Sequence, residues 1–193
     1  MTKRFAIFAS GNGSNAEALM NYAKQSDECQ VVLVLTDQAG AGVLDKAKTF
    51  SVATEVCAFN KGVPFQQAKQ AQEEKVMSLL SEYQVDYILL AGYMRILSSQ
   101  FVDRYFGKLI NIHPSMLPNF PGPDGYGDAF RAGVDESGIT IHFVDSGVDT
   151  GPIIIQQKFP RLDKDSLDSF KKRGLEVEHQ LYPKVMQWLA EGR

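Results

Sequence analysis

Cysteine is scarce in this chain. Its 193 residues hold only Cys29 and Cys57, far apart and without C-x-x-C spacing, which excludes a disulfide framework and a thiolate metal site. Neither sign of charge dominates: 20 Lys and Arg stand against 23 Asp and Glu, a formal net charge of −3, so composition excludes an electrostatic nucleic-acid binder. Long hydrophobic runs are missing as well. The longest, Tyr87 to Met94, is broken by Gly92 and falls well short of the ~20 residues a membrane span needs. The apolar stretch from Phe5 to Ala9 is too short for the signal core of about 7 to 15 residues. No repeat, low-complexity tract or charged tail interrupts the chain. A soluble, cytoplasmic protein of one domain, 1–193, is the expectation, with no nucleic acid and no membrane among its partners.

What is present is ordinary globular composition, 44% hydrophobic and 22% charged, arranged as short apolar runs alternating with longer amphipathic segments. Strands are expected at Phe5–Ala9, Val31–Thr36, Thr54–Phe59, Tyr87–Gly92 and Lys108–His113. A crossover helix is expected from Pro64 to Tyr83, where Phe65, Ala68, Val76, Leu79, Leu80 and Tyr83 recur near the helical period. This is the βαβ pattern of an α/β fold: a doubly wound, mostly parallel sheet with flanking helices and a Rossmann-type N-terminal half. Ligands of such sheets sit beyond the C-terminal ends of the strands. After residue 113 a proline-rich loop leads to two more strand-like runs, Ile139–Val144 and Pro152–Phe159. A last helical region, Ser166 to Leu189, is expected to be divided by Pro183.

Strand one runs into Ser10-Gly-Asn-Gly-Ser-Asn-Ala16. Gly11 and Gly13 permit a tight turn, and the next helix begins with free backbone N–H groups, a cradle for phosphate. The letters also satisfy G-x-G-x-x-A, and Asp37 follows at the end of strand two, where a dinucleotide fold places its ribose-binding acid. Hydroxyls and amides at Ser10, Asn12, Ser14 and Asn15 suit a phosphate monoester better than a pyrophosphate. A plain turn with a Ser or Asn helix cap is the alternative reading of the same letters, and the position directly after a first parallel strand favours phosphate over it.

A second constellation closes strand five. Alternation puts Asn111 and His113 on one side of the strand and Ile112 on the other. Four prolines follow in PSMLPNFPGP, a stiff loop in which one X-Pro bond can be cis. Downstream, the loop Ser146-Gly-Val-Asp149-Thr-Gly151 presents a carboxylate that could approach His113 and move protons with it. Each of these residues also has a structural reading, as a strand-end histidine or a turn-forming aspartate. His142, inside a strand, reads as a supporting histidine, and His179, on a polar helix face, as a solvated one. Three dispersed histidines and no H-E-x-x-H spacing argue against a metal.

Taken together, the segments SGNGSN (10–15), LAGYMRIL (90–97), INIHPSMLPNFPG (110–122), HFVDSGVDTGPII (142–154) and EHQLYP (178–183) resemble the folate-dependent glycinamide ribonucleotide formyltransferases of purine synthesis, in their small monofunctional form. The resemblance runs nearly end to end. It implies a formyltransferase-like fold with a nucleotide phosphate-binding half, about 1–108, and a catalytic and folate-binding half, about 109–193. It implies that Asn111, His113 and Asp149 are the catalytic trio with His142 behind them, that Gly13, Ser14 and Asn15 hold the substrate phosphate, and that Glu178 contacts the nucleotide. It places the folate at Met94, Arg95, Ile96 and Leu97, faced by Val144, Asp145 and Val148. Met94, Ile96 and Leu97 could equally be core at a strand end. The implied co-substrates are glycinamide ribonucleotide and 10-formyltetrahydrofolate, with no metal, in a monomer or homodimer.

The segment Pro123 to Ala129 departs from the histidine-containing stretch of the best-known members, so the order of this segment stays open; a flexible, glycine-rich version would be compatible with closure. Other readings stay open. Formyltransferases acting on a charged tRNA or a nucleotide sugar would share the second constellation but carry a further domain. A 10-formyltetrahydrofolate hydrolase would use the same trio with water as nucleophile and an extra N-terminal domain, whereas here the first strand begins at residue 5. A nicotinamide dinucleotide-binding module would use the first loop and Asp37 but leave Asn111, His113 and Asp149 unexplained.

Overall fold

In the computed structural model, which describes all 193 residues, seven strands join in one sheet of order β3-β2-β1-β4-β5-β6-β7. The strands are β1 (Lys3–Phe8), β2 (Cys29–Thr36), β3 (Ala53–Val56), β4 (Tyr87–Leu90), β5 (Leu109–His113), β6 (Glu136–Phe143) and β7 (Ile153–Pro160). The first five are mutually parallel; β6 and β7 are antiparallel additions at the β5 edge. The helices are α1 (Ser14–Lys24), α2 (Val43–Thr49), α3 (Phe65–Glu82), α4 (Ser99–Arg104), α5 (Gly125–Arg131) and α6 (Leu167–Glu191).

The doubly wound sheet follows from the burial pattern. Central strands β1 and β4 are apolar on both faces, because α1, α5 and α6 cover one side around Phe5, Ile7, Ile110 and Tyr182, while α3 and α4 cover the other around Phe8, Leu33, Ile88 and Phe101. The strand order turns in opposite directions from β1, towards β2 on one side and β4 on the other, so a crevice opens where their C-terminal loops part. The loops after β1, β4 and β5 all emerge there.

Several expectations need correcting. The third strand ends at Val56 rather than Phe59; beyond Cys57 the chain leaves the sheet, and Phe59 stacks on Phe65, their ring centroids 5.5 Å apart. Phe65 is exposed rather than part of the buried helix face, while the polar Gln72 and Glu73 are buried. Pro183 does not divide the last helix, which continues from Leu167 to Glu191. Although Pro183 has no N–H to give the His179 carbonyl, its neighbours Leu181, Tyr182, Val185 and Met186 are buried. The Tyr182 hydroxyl also lies 3.0 and 3.1 Å from the carbonyls of Leu90 and Ile110. Tertiary packing outweighs the local defect. His179 is not simply solvated: it is half-buried and its Nε2 is enclosed without a partner. Burial and Lys46 push its imidazole pKa down against the opposing Glu17.

Gly13 sets the start of α1. It caps the helix at φ 73°, and a Cβ there would come within 2.5 Å of Val43 Cγ2. Gly13→Ala therefore combines left-handed backbone strain with overpacking, and a loss of about 2 kcal/mol or more is expected in denaturant unfolding. An unchanged midpoint would show that the loop relaxes freely.

Candidate active site

Asn111 and His113 project from the last turn of β5 towards the crevice while Ile112 enters the core. Asn111 is paired across the sheet with His142 of β6, so their side chains are direct neighbours. The loop after β6 returns Asp149 to this point, with Asp149 at φ 55°, a left-handed conformation that aspartate tolerates better than most residues.

Four nitrogens surround the Asp149 carboxylate. His113 Nδ1 lies 3.3 Å from Oδ2, Asn111 Nδ2 lies 3.4 Å from Oδ1, and His142 Nε2 lies 3.6 Å from Oδ1. The Gly122 N–H donates to Oδ2 at 2.8 Å. The three side-chain contacts are long, hence weak, which leaves the Asn111 and His113 donors available to an incoming oxygen. Burial raises the Asp149 pKa, but hydrogen bonding to His142 and Gly122 and the charges of both histidines outweigh it, and the net shift is downward. A carboxylate ionised at neutral pH thus faces His113.

The second nitrogen of each ring is fixed. His113 Nε2 donates to the Phe120 carbonyl at 2.8 Å, and His142 Nδ1 donates to the Phe143 carbonyl at 2.8 Å. His113 therefore presents Nδ1 as its working atom. In the neutral tautomer His142 Nε2 accepts from Asn111 Nδ2 at 3.3 Å, which orients the Asn111 amide with its nitrogen towards the site.

The first loop brings in a distant residue. Asn15 donates through Nδ2 to Glu178 Oε2, and the Tyr126 hydroxyl donates to Glu178 Oε1 at 2.5 Å, so α1, α5 and α6 meet at one buried carboxylate. Asn15 Oδ1 is enclosed without a partner, leaving an acceptor for a ligand donor. Burial pushes the Glu178 pKa up, with the hydrogen bonds from Tyr126 and Asn15 opposing. Ser14 begins α1, whose cap residue Gly13 has no side chain to cap the first turn, so its backbone N–H groups stay open to an anion.

The folate residues expected from the sequence lie in the loops that follow β4 and β6. Met94, Ile96 and Val148 are exposed apolar side chains, so the first two are not core. Leu97 and Val144 pack against the α3 side of the sheet. Arg95 pairs with Asp37, Nε to Oδ2 at 2.7 Å. Asp145 accepts from the Gly147 N–H at 3.0 Å and the Thr150 hydroxyl at 2.7 Å, bracing its own loop. The segment after Pro123 is no flexible loop. It forms α5, capped by Asp124, which accepts from the Gly127 N–H at 3.2 Å, with Gly125, Tyr126 and Gly127 buried. No group of His, Cys, Asp and Glu is placed to hold a metal, and no helix is long and apolar enough to cross a membrane.

Sequence reasoning missed Tyr126, the Phe120 carbonyl, and the engagement of Asp37 by Ser10 and Arg95. One signal for Tyr126 was available. Gly174 lies in the interior of α6, where glycine costs about 1 kcal/mol, and a Cβ there would stand 2.3 Å from the Tyr126 ring. The glycine marks a close approach. Asp37, the acid of the dinucleotide reading, is buried and already holds Ser10, Gln38 and Arg95, so it is not free to bind a ribose.

Comparison with known proteins places this geometry in context. Residues 3–186 match the formyl transferase family. The chain is 42% identical over 188 residues to the phosphoribosylglycinamide formyltransferase of Bacillus subtilis, covering 97% of this chain and 94% of the relative. The crystal structure of phosphoribosylglycinamide formyltransferase from Streptococcus pneumoniae is 43% identical, with a TM-score of 0.87 over 98% of this chain and 99% of that one. The glycinamide ribonucleotide transformylase 1 structure from Geobacillus kaustophilus is 41% identical, with a TM-score of 0.91 over 98% and 100% of the two chains.

Proposed function

This chain belongs to the formyl transferase family, and on that premise we propose that it moves the formyl group of 10-formyltetrahydrofolate to the primary amine of glycinamide ribonucleotide in purine synthesis, in the cytoplasm. The observation that carries the reading is the convergence of Asn111 Nδ2 and His113 Nδ1 on Asp149 at the end of β5, in the crevice shared with the uncapped start of α1. The first part of the chain, to about residue 108, supplies the phosphate cradle, and the remainder supplies the reacting groups. All these groups come from one chain, whether it acts as a monomer or homodimer.

The substrate amine attacks the formyl carbon, forming a C–N bond and a tetrahedral centre whose oxygen becomes negative. Asn111 Nδ2–H and protonated His113 Nδ1–H meet that oxygen. His142 keeps the Asn111 amide facing it. Asp149 faces His113 Nδ1 and passes the proton of the attacking amine towards the folate nitrogen, directly or through water, as the bond from carbon to that nitrogen breaks. Met94, Ile96 and Val148 offer apolar surface to the pterin, and Glu178, with Asn15, holds the ribonucleotide. No covalent enzyme intermediate is required.

Folate consumption by the purified protein, followed spectroscopically with and without the ribonucleotide, tests the reading. Turnover is expected only with both substrates; consumption without the ribonucleotide would instead indicate a hydrolase. Ser14→Ala and Asn15→Ala are expected to raise KM for the ribonucleotide with smaller effects on kcat, the mark of lost ground-state binding. An unchanged KM in both would remove the loop from the substrate site.

A further inference from the structure

Asp37 is the chemistry-bearing residue that the proposed mechanism leaves unused, and it is 3% exposed. The Ser10 hydroxyl donates to its Oδ1 at 2.6 Å, while Arg95 Nε and Gln38 Nε2 donate to its Oδ2 at 2.7 and 2.8 Å. Ser10 is bonded twice more. Its N–H donates to the Gly92 carbonyl at 3.0 Å, and its Oγ accepts the Met94 N–H at 2.9 Å. Since that hydroxyl hydrogen is given to Asp37, the oxygen lone pairs are the part left for Met94.

Residues 93–98 form neither helix nor strand, so their backbone must be held from outside. The far end of the loop is tied by a second buried carboxylate, Glu73 of α3, which accepts the Ser98 N–H at 2.7 Å and the Ser98 hydroxyl. The Arg95 guanidinium lies 4.5 Å above the Phe59 ring and is fixed by Asp37 on its edge. With both ends pinned, Met94 and Ile96 stand exposed between them. At the near end the pin is Ser10, the first residue of the loop that continues through Gly11 and Gly13 into α1.

We propose that Asp37, acting through Ser10 and Arg95, is a positioning residue that joins the phosphate loop to the 93–98 loop, so that the two substrates bind with positive coupling. The inference rests on the assignment of ribonucleotide to the first loop and folate to the second. A ligand held by either loop strengthens the Ser10–Asp37–Arg95 bonds that the two loops share, and the other ligand then meets a loop more firmly held. The effect is reciprocal by linkage.

Calorimetric titration tests this without catalysis, using glycinamide ribonucleotide with and without saturating tetrahydrofolate, the deformylated folate. In the parent protein, tetrahydrofolate is expected to tighten ribonucleotide binding about 5-fold or more, the lower end of usual coupling. In Ser10→Ala, which deletes only the bridging hydroxyl, the ratio of the two affinities falls towards one. Ser10→Thr, which keeps a hydroxyl, retains it. Asp37→Asn, which loses the charge facing Arg95, also reduces the ratio and gives a second reading if one variant folds poorly. A parent ratio of one, or a ratio unchanged in Ser10→Ala and Asp37→Asn, overturns the proposal while leaving the function intact. Failure of the parent to bind either ligand overturns the functional assignment itself.

Discussion

Replacing Asn111 by alanine lowers kcat for formyl transfer about 10²- to 10³-fold, the usual cost of one oxyanion donor, with the unfolding midpoint little changed. The size follows from geometry. Asn111 is half-buried at the end of β5 and its side chain hydrogen-bonds to His142 and Asp149, at 3.3 and 3.4 Å. Removing it vacates little core. In its neutral tautomer His142 cannot replace that donor, because Nδ1–H is given to the Phe143 carbonyl and Nε2 is an acceptor. KM for both substrates should stay within a few-fold, because the donor acts on charge that develops only as the tetrahedral centre forms. Steady-state kinetics on the variant, with its circular dichroism as a fold control, checks this; wild-type kcat would remove Asn111 from the chemistry.

Asp149→Asn is expected to cost about 10²- to 10⁴-fold in kcat, the range for a positioned proton-transfer group, and to reshape the pH profile. The carboxylate has a pKa below the ordinary range, so it stays charged through the working range beside His113 Nδ1. An amide in its place does not ionise, so the fall in rate at low pH that protonation of Asp149 causes in the parent is absent from the variant. Stability moves in the linked direction. A folded-state pKa below the unfolded one means that ionised Asp149 contributes stability above the unfolded value of about 3.9, lost as pH falls through the depressed one. The stability difference between parent and variant should therefore narrow in acid. A variant with the parent's pH profile would take Asp149 out of the proton path.

The fold was legible because its signals are periodic. Runs such as YILLAG read as strands buried on both faces, and the segment from Pro64 to Tyr83 became α3 with Pro64 and Tyr83 as its end caps. The errors came where tertiary contact overrides local preference. Pro183 breaks an isolated helix, but here the buried residues on both sides hold α6 continuous. Gly125 and Gly127 suggest flexibility, yet Asp124 caps a turn of helix there and Tyr126 is anchored on Glu178.

The candidate site was legible in its residue types but not in its bonds. Strand alternation placed Asn111 and His113 together, while the return of Asp149 depends on the loop after β6. Pairings such as Asn15 with Glu178, 163 residues apart, leave no periodic trace. Asp37 is the instructive case: its position after β2 suggested a ribose ligand, and only the contacts of Ser10 and Arg95 reveal that its carboxylate is already committed.

Direct transfer at Asn111, His113 and Asp149 is tested by single turnover with donor labelled at the formyl carbon. Enzyme in excess over 10-formyltetrahydrofolate is mixed with glycinamide ribonucleotide, and the label is traced in quenched samples of parent and Asn111→Ala. Label is expected to pass from folate to the ribonucleotide amine in one phase, without protein-bound label, at a rate that collapses in the variant. Label appearing as free formate, or on the protein before the ribonucleotide, would contradict it.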